Sequence, residues 1–181
     1  MTAIAQRRAV ARALGRGPTT RARSRAIGDY LDARLHLAAL SMVAGAIHAV
    51  VAAPHLAEFW LFGSLFVALA VFQLGWGALL YRRPSPELLR IGAWVSAGVI
   101  AVWLASRTVG LPVGPGAGRA EAVGAVDAIA TAIEAAIVGL CVVLLNPARR
   151  LPAPIAVVRT AAIGLMMAGL LALLLGGGHS H

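Results

Sequence analysis

Five runs of apolar residues, 35–53, 60–81, 88–106, 123–145 and 155–175, punctuate the chain. Each is close to the ~20 residues that a helix needs to cross the hydrocarbon of a bilayer. A helix apolar on every side is stable only where no side of it meets water. The composition agrees: 60% of the side chains are hydrophobic and 13% charged, against roughly 45–50% and ~25% in soluble domains. A soluble globular domain, a disordered chain and a disulfide scaffold are all excluded. The single cysteine, Cys141, lies inside a hydrophobic run and has no partner for an intrachain disulfide. The predicted fold is all-α: a polytopic membrane helix bundle of five transmembrane helices.

Charge orients that bundle. The net charge is +9, every one of the sixteen basic residues is arginine, and lysine is absent, a codon bias of a GC-rich bacterial genome. Arg7, Arg8, Arg12, Arg16, Arg21, Arg23, Arg25 and Arg34 precede the first run. Arg82, Arg83 and Arg90 flank the second connection, and Arg149, Arg150 and Arg159 the fourth. The other side receives only Arg107 and Arg119. Positive residues stay cytoplasmic, so the N-terminus is predicted inside and the C-terminus outside the bacterial plasma membrane. The arginines flank hydrophobic runs instead of interleaving with aromatics on a folded face, which argues against nucleic acid as a partner.

Three regions follow: a basic cytoplasmic arm over 1–34, the transmembrane domain over 35–175 and a Gly/His extracytoplasmic tail over 176–181. In the arm, Ile4, Val10, Ala11 and Leu14 gather on one side of a helical wheel, a pattern suited to anionic headgroups; a solvated tail that merely sets orientation is the plainer reading. No signal-peptide core follows the early arginines closely, so the first run is expected to stay as an anchor.

Proline marks the boundaries. Pro54 is predicted to end the first span, Pro84 and Pro86 to shape the second connection, and Asn146-Pro147 with Pro152 and Pro154 the fourth. Trp60, Tyr81 and Trp103 fall near span ends, where aromatic rings favour the headgroup layer. The stretch 107–122 is rich in glycine but lacks the Gly-Lys-Ser/Thr of a phosphate loop, and reads as a plain connection. Small residues four apart (Ala93 and Ala97; Ala128, Ala132 and Ala136; Gly164 and Ala168) allow close helix packing. They also suit docking, either in a homo-oligomer or against another membrane protein. No internal repeat of the inverted-repeat kind is visible.

The ionisable residues are unevenly placed. His48, His55, His179 and His181 fall in the predicted outer half, as do Glu58, Glu121, Asp127 and Glu134. Asp127, Thr131 and Glu134 share one helical face. His48 and His55, seven apart, share another if the helix continues past Pro54. A carboxylate at such depth costs a few kcal/mol unless paired, solvated or protonated. Arg107 can supply the partner through a bridge to Glu134, Asp127 or Glu58 that simply fixes packing. The functional reading is a site for a divalent metal such as zinc, or for a proton, built from His48, His55, Glu58, Asp127 and Glu134. A third arrangement is a water-filled cavity without metal.

Copper(I) lacks soft ligands at that level, because Met42, Cys141, Met166 and Met167 lie deeper. Haem is disfavoured: His36 and His48 are ~18 Å apart along one helix, and only a dimer could add a ligand from another span. The Gly176–His181 tail reads as a solvated end carrying two imidazoles. Gln73 calls for an interhelical hydrogen bond and reads as packing glue. Gly-x-Ser-x-Gly, His-Glu-x-x-His and Cys-x-x-Cys are absent, so nothing marks an enzyme.

Two stretches, Glu58-Phe-Trp-Leu-Phe-Gly63 followed by Gln73 and Trp76, and Ser106-Arg-Thr-Val-Gly-Leu-Pro-Val-Gly-Pro115, resemble a group of small multipass membrane proteins of high-GC Gram-positive bacteria. The resemblance covers roughly residues 35–145. It implies the bacterial plasma membrane as location and carries over no functional residue. Three functions fit the whole pattern: a transport or sensing component that handles a metal ion or proton at the extracytoplasmic face, a non-catalytic assembly subunit of a larger membrane complex, and a membrane enzyme acting on a lipid or quinone.

Overall fold

The computed structural model describes residues 20–146 and, after them, 161, 163–165, 167, 168 and 171. Four long helices carry it: α1 (Thr20–Glu58), α2 (Trp60–Arg82), α3 (Pro86–Thr108) and α4 (Ala125–Leu145). No strand occurs among the described residues. Among the described residues, four segments are long and apolar enough to cross a membrane: Tyr30–Glu58, Trp60–Arg82, Pro86–Thr108 and Ala125–Leu145. Most of the fifth predicted span, the first nineteen residues of the basic arm and the Gly/His tail lie outside the described residues. Contacts divide the chain into Met1–Asp32 and Ala33–His181, and the second unit holds the packing described below.

Helices α1 and α2 lie side by side because small residues line their seam. Ala38, Gly45 and Ala52 on α1 and Gly63, Ala70 and Gly77 on α2 are all buried. Each set repeats every seven residues, close to two helical turns. A Cβ built on Gly77 would stand 3.0 Å from the Ala38 carbonyl oxygen, one on Gly45 3.3 Å from that of Ala70, and one on Gly63 2.5 Å from the Leu56 backbone nitrogen. These pairings run in opposite directions, so the two helices are antiparallel.

The predicted stop at Pro54 is corrected: Pro54 lies inside α1, which continues to Glu58. Proline removes one N–H and crowds the carbonyl four residues earlier, but only the last turn lies beyond it. That turn still closes, with Phe59 N–H donating to the His55 carbonyl at 2.8 Å. His55 and Glu58 therefore stand on the helix and not on a connection. A single residue, Phe59, separates α1 from α2.

The other boundaries follow local chemistry. Ser85 caps α3, its hydroxyl accepting from Leu88 N–H at 3.2 Å, with Pro86 in the first turn where its missing N–H costs nothing. Trp76 of α2 donates its indole N–H to the Leu88 carbonyl at 2.8 Å, and its ring occupies the space beside Gly92. At the other end of α3, Gly110 adopts φ +76° and donates to the Ala105 carbonyl at 2.9 Å. A left-handed residue of this kind commonly ends a helix. The core joins all four helices through Leu37, Leu40 and Ile47 of α1, Leu80 of α2, Leu89 of α3, and Ile133 and Ile137 of α4. Val71, Trp94, Trp60 and Tyr81 point outward, each more than 60% exposed, and their position fits lipid contact.

Candidate functional site

Glu134 is the group that most needs an explanation. It lies on α4 with none of its surface exposed. Its Oε1 accepts a hydrogen bond from Gln73 Nε2 of α2. Gln73 is itself buried, and its Oε1 lies 2.8 Å from His48 Nδ1 of α1. Ser41 donates its hydroxyl to the Gln73 backbone carbonyl at 2.7 Å, and Ser96 of α3 stands beside the Glu134 carboxylate. Polar side chains from four helices thus meet inside an apolar core. Glu134 Oε2 is buried and has no hydrogen-bond partner.

The bonds carry a direction. The Gln73 amide turns its NH2 toward Glu134, whose Oε1 accepts, and its oxygen toward His48. That oxygen only accepts in turn, which places a proton on His48 Nδ1. The second ring nitrogen, Nε2, is then the acceptor of a neutral imidazole or the donor of an imidazolium.

A cavity of about 540 Å³ opens above this network. It lies toward the end of the bundle that carries the α1–α2 and α3–α4 connections. Its walls are mainly aliphatic and aromatic, with Phe62, Phe66, Val95, Val99 and Trp103 among them, and His48 contributes to its lining. His48 is 3% exposed, and the cavity is where that remaining surface lies. At 1.5 Å per residue, His48 stands ~15 Å from the end of α1. It is deeper than a span ending at Pro54 would place it.

Of the residues singled out in the sequence, His48, His55, Glu58, Arg107 and Asp127 all line this one cavity, and Glu134 joins it through Gln73 and His48. Their individual bonds, however, are those of a packed rim. His55 Nδ1 donates to the Val51 carbonyl at 2.7 Å. Phe66 lies between the two imidazoles, 5.7 Å from the His48 ring and 4.6 Å from that of His55. Arg107 spreads its two terminal nitrogens over Glu121 and Asp127, and its guanidinium carbon stands 6.0 Å from the Trp103 ring centre. Of the bridges expected for Arg107, the one to Asp127 is present, and Glu121 adds a second that the sequence reading did not assign.

No three His, Cys, Asp or Glu side chains converge closely enough to hold a metal ion among the described residues. The divalent-metal reading therefore has no support in the geometry. Val51 takes one nitrogen of His55, Arg107 takes Asp127, and Glu134 is turned toward α2. His179 and His181 lie outside the described residues.

The 109–124 connection covers part of the cavity. Leu111, Pro115 and Gly116 contribute to its lining, and Glu121 N–H donates to the Ser106 carbonyl at 2.9 Å. Gly114, at φ +94°, passes so close to Phe62 that a Cβ would stand 2.8 Å from its ring. The residue missed as functional is Gln73, which couples the two titratable groups. Only its depth in an apolar run hinted at a buried partner. No known protein family, curated protein or solved structure matches the chain.

Proposed function

We propose that the protein is an integral component of the bacterial plasma membrane that binds and exchanges a proton at its extracytoplasmic face. The reading takes five spans, with the N-terminus inside, and so places the cavity mouth outside. The observation that carries it is the His48–Gln73–Glu134 chain, buried among four helices and meeting the cavity only at His48.

Charge balance explains why such a chain would exchange protons. A lone carboxylate or imidazolium in hydrocarbon costs several kcal/mol. The network is neutral with one proton shared between His48 and Glu134, either as acid and neutral imidazole or as carboxylate and imidazolium. The remaining charged groups around the cavity are Glu58 on α1, Arg107 on α3, Glu121 on the 109–124 connection and Asp127 on α4. Arg107 engages Glu121 and Asp127, leaving the deeper pair to respond to a proton that arrives through the cavity. The amide of Gln73 couples the partners electrostatically and holds both in place.

Infrared difference spectra of the protein in lipid nanodiscs, recorded across a pH series, test the proposal. A carboxylic-acid band that changes with pH and is lost in Glu134→Gln is expected, together with a shift of its midpoint in His48→Gln. A spectrum in which Glu134→Gln removes no pH-dependent band overturns it.

A further inference from the structure

The cavity also has the features of a ligand site. Its volume of about 540 Å³ falls within the ~300–1,000 Å³ of small-molecule sites, which are mostly apolar with a few placed polar groups. The walls include the aromatic side chains of Phe62, Phe66 and Trp103. Two nitrogens of the lining have two possible hydrogen-bonding roles: His48 Nε2 at depth, since its Nδ1 is committed to Gln73, and His55 Nε2 nearer the mouth, since its Nδ1 is committed to Val51.

We propose that this cavity binds a neutral, membrane-soluble quinone or hydroquinone, with its ring between the aromatic walls and one ring oxygen hydrogen-bonded to His48 Nε2. The two forms of the imidazole match the two forms of such a ligand. Neutral His48 accepts from a hydroquinone O–H, and imidazolium His48 donates to a quinone carbonyl. A flat ring stacks favourably on aromatic side chains, and the cavity is partly open, so an attached hydrocarbon chain can leave it.

Charge selects against the other amphiphiles. Glu58, Glu121 and Asp127 outnumber Arg107 in the lining, and Arg107 already spends its terminal nitrogens on two of them. A fatty acid or an anionic phospholipid headgroup would meet surplus negative charge at the mouth. A quaternary lipophilic cation carries no group that can hydrogen-bond to His48 Nε2. The proposal rests on the cavity and on Nε2, so it stands or falls separately from proton exchange at Glu134.

The test uses the full chain in lipid nanodiscs, with decylubiquinone and its hydroquinone as probes and binding read by titration calorimetry. Saturable binding near one equivalent is expected. Gly98 lines the cavity, and a Cβ built there meets nothing within 4 Å, so the side chain of Gly98→Phe starts in open space. It is expected to weaken binding at least about tenfold at unchanged helicity and melting temperature. His48→Leu is expected to weaken the hydroquinone about tenfold, the scale of one hydrogen bond. Binding no greater than to empty nanodiscs, equal binding by Gly98→Phe, or displacement of the hydroquinone by equimolar oleate or tetraphenylphosphonium would each overturn the proposal.

Discussion

Gln73 is the side chain on which the buried polar network turns, because its amide hydrogen-bonds to both His48 and Glu134. Deleting a buried partner leaves the others desolvated and unbonded, at about 1–3 kcal/mol per group. Gln73→Leu is therefore expected to lower unfolding free energy in detergent by about that amount or more. The triple variant His48→Phe/Gln73→Leu/Glu134→Leu should recover part of the loss, since replacing these three partners together strands fewer polar atoms than removing Gln73 alone. A triple variant less stable than Gln73→Leu alone would show that the network is not the source of the effect. Arg107 plays a comparable part at the rim, where it ties Glu121 of the 109–124 connection to Asp127 of α4. Arg107→Ala should speed proteolysis within 109–124, and Arg107→Lys should restore little, because a single ammonium cannot reproduce the guanidinium's planar fork. Cleavage at the wild-type rate would remove Arg107 from that role.

At the scale of the helices, the α1–α2 seam follows a simple steric rule. Gly63 faces the Leu56 backbone at a distance no Cβ tolerates, whereas Gly75 on the same helix faces open space. Gly63→Ala is expected to destabilise by about 1–3 kcal/mol through overpacking. Gly75→Ala should be neutral or stabilise by up to ~1 kcal/mol through helix propensity. Thermal melts of the two variants in one detergent decide it, and equal midpoints would contradict the seam. The sequence displays this repeat at 38, 45, 52 and at 63, 70, 77. A spacing of four, as in right-handed membrane pairs, does not reveal it, because the seam uses seven. Pro54 misled for a related reason. Its cost depends on how much helix follows, and here that is one turn.

For the whole molecule, apolar runs made the four described spans legible, since a continuous apolar run in hydrocarbon satisfies its own backbone hydrogen bonds as a helix. The association of His48, His55, Asp127 and Glu134 with one region was legible too, because shared faces and depths follow from helical geometry alone. The convergence of Gln73 on them was not, as it depends on how α1 and α2 are rotated against each other. Orientation rests on the asymmetry of the arginines and can be tested directly. Cys141 is the chain's one cysteine and is buried, so it offers little background to a thiol reagent. Pro115 in the α3–α4 connection and Arg83 in the α2–α3 connection are both exposed. Cysteine substituted at each, Pro115→Cys and Arg83→Cys, reports one end of the bundle. With the N-terminus inside, a membrane-impermeant maleimide should label Pro115→Cys in intact spheroplasts and Arg83→Cys only after permeabilisation. The opposite pattern would put the cavity mouth in the cytoplasm. Protons would then reach His48 from the cell interior, and the extracytoplasmic role proposed for the network would fail even if Glu134 titrates.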